Sequence, residues 1–169
     1  MERKKMQTAM YKTEKKSHKK RILVAGLGNS LLRDGGVGVH AVRALQELDY
    51  PGVMVAEVGT AVLDALHLIE WADNILIIDA MQAGGEPGMI HSIRGYAIGK
   101  PGMHASLHQL SFMSALELIP EKGQPVITVL GVEPESIECG SELSPPVEKA
   151  IPHLVRIVGE ILACWQVKW

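Results

Sequence analysis

The chain carries little cysteine, no long apolar run and no internal repeat. Two cysteines in 169 residues, Cys139 and Cys164, make neither a disulfide framework nor a CxxC metal knuckle. They read as free thiols in a reducing compartment, and a cytoplasmic protein is expected. No stretch approaches the roughly 20 apolar residues that span a bilayer, so no membrane insertion is expected. The N-terminus has no apolar segment of the kind that marks a secretory signal. An activated nucleophile is missing too: neither cysteine stands in a recognisable Cys–His arrangement, and Ser30 has no evident base partner. Most histidines lack any short ligand spacing. His104 lies four residues before His108, but in a loop, which leaves it a weak second ligand.

Charge is unevenly spread. Residues 1–20 hold eight Lys and Arg against Glu2 and Glu14, a net +6, which leaves −8 for the rest of a chain whose total is −2. The first 20 residues read as a basic, solvated, disordered extension and 21–169 as one domain, a length that suits a single core. An acidic body speaks against nucleic acid as a partner, because phosphate contacts need a basic face. A monomer is expected, since there is one compact domain and no heptad pattern.

From Arg21 onward strand and helix signals alternate. Ile22–Ala25 reads as a short buried strand. Val37–Leu48 puts Val37, Ala41, Ala44, Leu45 and Leu48 on one helical stripe. Val53–Val58 reads as a second strand, and Thr60 as the N-cap of a helix to about Glu70 with Leu63, Leu66 and His67 inward. Ile75–Ile78 is an apolar strand ending at Asp79. A turn through Gly84, Gly85 and Gly88 leads to a shorter strand, Met89–Ile93, suited to antiparallel pairing. After a loop over Gly95–Ala105, Ser106 and Gln109 form a capping box for a helix to about Leu118. Pro125–Leu130 is the last strand, and Pro145 sits at the first position of a final helix. Leu154, Ile157, Val158, Ile161 and Leu162 are its apolar face. This order predicts a three-layer α/β/α sandwich around a mostly parallel twisted sheet of about five strands.

Chemistry is expected at the carboxyl ends of those strands. The first loop, Gly26-Leu27-Gly28-Asn29-Ser30-Leu31-Leu32-Arg33-Asp34-Gly35-Gly36-Val37-Gly38, follows the first strand, Asp79 ends the third, and His108 opens a later helix. An Asp and a His converging there suit a divalent metal, since carboxylate with neutral imidazole is a common ligand pair. The loop itself is no dinucleotide fingerprint, because Leu31 stands where the third glycine belongs and Glu57 is the sole candidate ribose acid. It resembles the opening of peptidyl-tRNA hydrolases for four residues, but the continuation differs and His40 is not in the corresponding place.

Five dispersed segments carry a more specific resemblance. Gly26–Gly38, Glu57-Val58-Gly59-Thr60, Ile77-Ile78-Asp79-Ala80, His108-Gln109-Leu110 and Leu130–Ser136 are similar, in order and spacing, to those of the nickel–iron hydrogenase maturation endopeptidases, across roughly Arg21 to Trp165. The resemblance implies an α/β/α fold and removal of a C-terminal extension from the hydrogenase large-subunit precursor after nickel insertion. Nickel is then the recognition element, supplied by the substrate protein, although other divalent metals can occupy the site in vitro. It implies metal contacts at Asp79 and His108, catalytic roles for Asp34 and Asp79, and substrate contacts at Asn29, Gly35, Glu57, Gly59 and Thr60. Water attack on a metal-polarised carbonyl, with Asp79 or Asp34 as base, is the simplest mechanism.

The family's first metal-contacting acid corresponds to Gly35, which offers no ligand, while Asp34 keeps the preceding acid one residue off. Glu57, Glu133 or a water are the candidates to fill that gap. The departure also raises an alternative, a degenerate homologue that binds a hydrogenase large subunit or related metalloprotein without cutting it.

Overall fold

The computed structural model describes residues 19–95, 106–120 and 123–166. Most of the expected basic extension, His104 and most of the loop before Ser106 lie outside the described residues. Five strands form one sheet: β1 (Ile22–Leu27), β2 (Val53–Gly59), β3 (Asn74–Ala80), β4 (Ile90–Arg94) and β5 (Val126–Val132), in the order β2-β1-β3-β5-β4. The first three and β5 run parallel, with Ile22 opposite both Val53 and Asn74, and β4 pairs antiparallel to β5 as its sequence suggested.

Central strands β1 and β3 are buried on both faces, which is why they read as unbroken apolar runs. Ile22, Val24, Leu76, Ile78, Leu130 and Val132 point to one side, where α1 (Val37–Gln46) and α4 (Pro145–Gln166) pack through Ala41, Val42, Leu45, Leu154, Val158 and Leu162. Leu23, Ala25, Ile75, Ile77, Ile127 and Val129 point to the other, under α2 (Leu66–Trp71) and α3 (Leu107–Glu117). The result is the three-layer α/β/α sandwich.

Helix α1 approaches the sheet closely because glycine faces glycine. A Cβ on Gly26 would lie 2.2 Å from the Gly38 carbonyl oxygen, and one on Gly38 would lie 2.1 Å from the Ile78 oxygen. One expected helix is shorter than its pattern. Thr60 caps nothing; residues 61–65 form successive turns, with Asp64 N–H donating to the Ala61 oxygen and Ala65 N–H to the Val62 oxygen, and α2 starts only at Leu66. Val62, Ala65 and Ile69 face the core, whereas Leu63 and His67 are exposed.

Sheet order reverses beside β1: the chain moves from β1 outward to β2, then returns across β1 to β3. The crevice at the carboxyl ends of β1 and β3 is therefore a topological switch point, where open α/β sheets bind ligands.

Candidate active site at the β1–β3 switch point

The loop after β1 is folded by its own backbone. Asn29 N–H donates to the Gly35 oxygen at 2.9 Å, and the Asn29 side-chain oxygen accepts from Leu31 N–H at 3.0 Å. A short 3-10 turn over Arg33–Gly36 then leads into α1. Asp34 points inward and is fully buried. Its carboxylate accepts from the backbone N–H groups of Glu135 and Ser136 (both 2.9 Å) and Ser144 (2.7 Å), and from the Ser144 hydroxyl (2.8 Å). Burial alone would raise this carboxyl, but those donors outweigh it and hold the group below the usual carboxylate range. Asp34 thus ties the first loop to the segment after β5 and to the start of α4.

Asp79 is the contrasting case. It sits near the end of β3 with no exposure. Burial pushes its carboxyl up to about 7, against the pull of the Ser106 hydroxyl and the Ala80 N–H. The Ser106 hydroxyl donates to one Asp79 oxygen, and Ala80 N–H donates to the other at 2.8 Å. The same Ser106 oxygen accepts from Gln109 N–H at 3.0 Å, and the Gln109 side chain returns the bond, so the capping box that opens α3 also fixes Asp79. His108 follows in the first turn, with Nδ1 3.9 Å from Asp79 Oδ1. Burial lowers its pKa, which keeps the imidazole neutral and its lone pair free for a metal.

A cavity of about 220 Å³ opens over this pair. Asp79, Ser106, His108 and Gln82 form its polar side; Leu32, Met81, Pro134 and Ile137 form the apolar side, and Gly35 lines it as well. Two metal bonds of roughly 2.1 Å span the Asp79–His108 separation. Among the described residues no cluster of three or more His, Cys, Asp or Glu could hold a metal ion, and Asp79 and His108 are the pair that faces the cavity.

A family model for hydrogenase maturation proteases matches residues 39–161. The chain is 32% identical over 159 residues to the hydrogenase expression/formation protein HupD of Bradyrhizobium diazoefficiens, covering 89% of this chain and 82% of that one. It is 33% identical over 152 residues to the hydrogenase 2 maturation protease of Escherichia coli, covering 83% and 90%. This chain belongs to the hydrogenase maturation protease family. The fold agrees: the hydrogenase maturating endopeptidase HybD from Escherichia coli superposes with a TM-score of 0.75 at 31% identity, over 85% of this chain and 92% of that one. The nickel–iron hydrogenase maturation protease HybD from Thermococcus kodakarensis gives 0.74 at 29% identity, over 84% and 99%.

Against the residues that this family's pattern singled out, the structure brings Asp79, His108 and Gly35 to one cavity and leaves the others elsewhere. Asp34, expected among the catalytic residues, is buried outside the cavity lining with its carboxylate bonded to four donors that anchor the first loop. Asn29 is a loop-forming residue by its bond to Leu31. Glu57 is held outside the cavity in a two-pronged pair with Arg43, at 2.8 and 2.9 Å. Gly59 accepts from Gly28 N–H, and exposed Thr60 follows it at the outer strand. Glu133 does not replace the missing acid either; it accepts from Ala83 and Gly84 N–H and pairs with His91 at 3.1 Å.

The use of the segment after β5, residues 133–136, was unreadable from sequence. That segment supplies Pro134 to the cavity wall and backbone donors to Asp34. Ser106 was legible as a cap but not as the partner of Asp79. The signal was present, since the hydroxyl opens the same turn that carries His108.

Proposed function

We propose that this protein is the endopeptidase that removes the C-terminal extension of a nickel–iron hydrogenase large subunit after nickel insertion, reading the inserted nickel as part of its substrate. The observation that carries this is the Asp79–His108 pair at the switch point, two donors aimed at one small cavity with no third His, Cys, Asp or Glu beside them among the described residues. Two donors suit completing the coordination of an ion already held by another protein, and suit poorly the retention of a free one. His108 is kept neutral by burial and offers a lone pair. Asp79, with a carboxyl near neutrality, is matched to exchange a proton with water at physiological pH. In this reading water adds to the scissile carbonyl and gives a proton to Asp79, which returns it to the leaving amine as the C–N bond breaks; the precursor's nickel would polarise that carbonyl. The protein acts as a cytoplasmic monomer, and other divalent ions occupy the pair in vitro only weakly.

Gly35 favours a second reading, in which the chain binds a large subunit or related metalloprotein without cutting it. Incubation with a nickel-loaded large-subunit precursor, followed by mass spectrometry, separates the two. Shortening of the precursor by the wild type, lost in His108→Ala, is the expected result. Stable association without shortening, with cutting gained in Gly35→Glu, would establish the second reading instead.

A further inference from the structure

Glycines crowd the first loop and the start of α1, and three of them are explained by space. A Cβ on Gly28 would lie 2.1 Å from the Gly35 oxygen, one on Gly36 2.7 Å from Ser30 Cα, and one on Gly38 2.1 Å from the Ile78 oxygen. Gly35 differs. Its φ is outside the left-handed region, and an added Cβ would meet nothing nearer than Leu32 Cβ at 3.2 Å, with the Asn29 oxygen next at 4.0 Å. The backbone does not require a glycine here, and an added methyl group would ask Leu32 to give by only a few tenths of an ångström. What its bareness leaves is room in the cavity shared with Asp79 and His108.

The nature of that room follows from its walls. Leu32, Pro134 and Ile137 line it, and among the described residues no Lys or Arg does. Apolar surface continues outward, with Ile137 53% and Leu31 68% exposed. Gly140 N–H donates to the Leu31 oxygen at 2.9 Å, so the loops bearing these side chains are joined. A substrate carboxylate placed there would lose water without gaining a cationic partner, whereas an aliphatic side chain would exchange water for apolar contact.

We propose that Gly35 opens an apolar subsite that takes one aliphatic side chain of the precursor beside the scissile bond, and that this glycine sets substrate preference. The proposal rests on the reading that the Asp79–His108 cavity receives a hydrogenase precursor for cutting. Filling or emptying such a pocket by one or two methyl groups changes selectivity on the order of 10–200-fold per group.

The test uses the full chain and nickel-loaded large-subunit precursors in which each residue flanking the scissile bond is, in turn, Ala, Leu or Asp. At one of the two positions the wild type should cut the Leu precursor at least ~10-fold faster than the Ala precursor and the Asp precursor slowest. Gly35→Ala should reduce the Leu-to-Ala rate ratio, and Gly35→Val should reduce it by ~10-fold or more. Thermal midpoints of the variants serve as the check on folding, and Gly35→Ala preserves the test if Gly35→Val fails to fold. A wild-type ratio near one at both positions, or a ratio unchanged by both substitutions, overturns the subsite while leaving the endopeptidase reading intact. Failure of the wild type to cut any precursor overturns that reading, and the subsite with it.

Discussion

At one end of the sheet the pKa values of two buried aspartates are moved in opposite directions by their surroundings. Asp34 has four donors around it and lies below the usual carboxylate range; Asp79 has two and is raised to about 7 by burial. For Asp34 the folded pKa is below the unfolded value of about 3.9, so the stability it contributes is present above about pH 4 and is lost as pH falls through the folded value. Asp34→Asn should cost about 3 kcal/mol at pH 7 and should weaken the acid dependence of stability, as urea unfolding between pH 3 and 7 would show. The sign reverses for Asp79. Its folded pKa is above the unfolded one, so the free protein loses stability as pH rises from about 4 to about 7. Asp79→Asn should therefore raise the thermal midpoint at pH 8 while abolishing precursor processing; a lowered midpoint would show that Asp79 is there for stability. In sequence, Asp79 and His108 were legible because a strand end and a capping box place them. The role of Asp34 was not, because its partners lie 101 to 110 residues further along the chain.

Elements were readable where periodicity and caps agree. The Ser106–Gln109 box located α3 to within a residue, and the unbroken apolar runs located β1 and β3. Legibility failed at α2, where Thr60 mimics a cap but successive turns satisfy the backbone and delay the helix to Leu66. Ser106 ties element to site, since its hydroxyl caps α3 and holds Asp79. Ser106→Ala should cost roughly 1–3 kcal/mol through the lost cap and the lost bond to a buried carboxyl. Ser106→Thr, which keeps the hydroxyl, should restore most of that in thermal unfolding. Close approach of α1 is equally specific. Gly38→Ala puts a methyl against the Ile78 and Leu27 oxygens, both backbone and unable to yield, and should destabilise by about 3 kcal/mol.

The whole molecule gathers these parts because of its strand order. Alternation of strands and helices foretold a layered, mostly parallel sheet, but not that β5 would enter between β3 and β4. That insertion brings the segment after β5 to the cavity, where Pro134 and Ile137 face Gly35. The motifs along the sequence are thus far apart in the chain and close at one edge of the sheet. In the proposed function this edge reads a metal carried by another protein. The most direct test of that function is the rate at which the wild type shortens a nickel-loaded large-subunit precursor beside the same precursor without nickel. Cutting of the loaded precursor alone is expected; equal rates for the two would overturn the nickel-reading function.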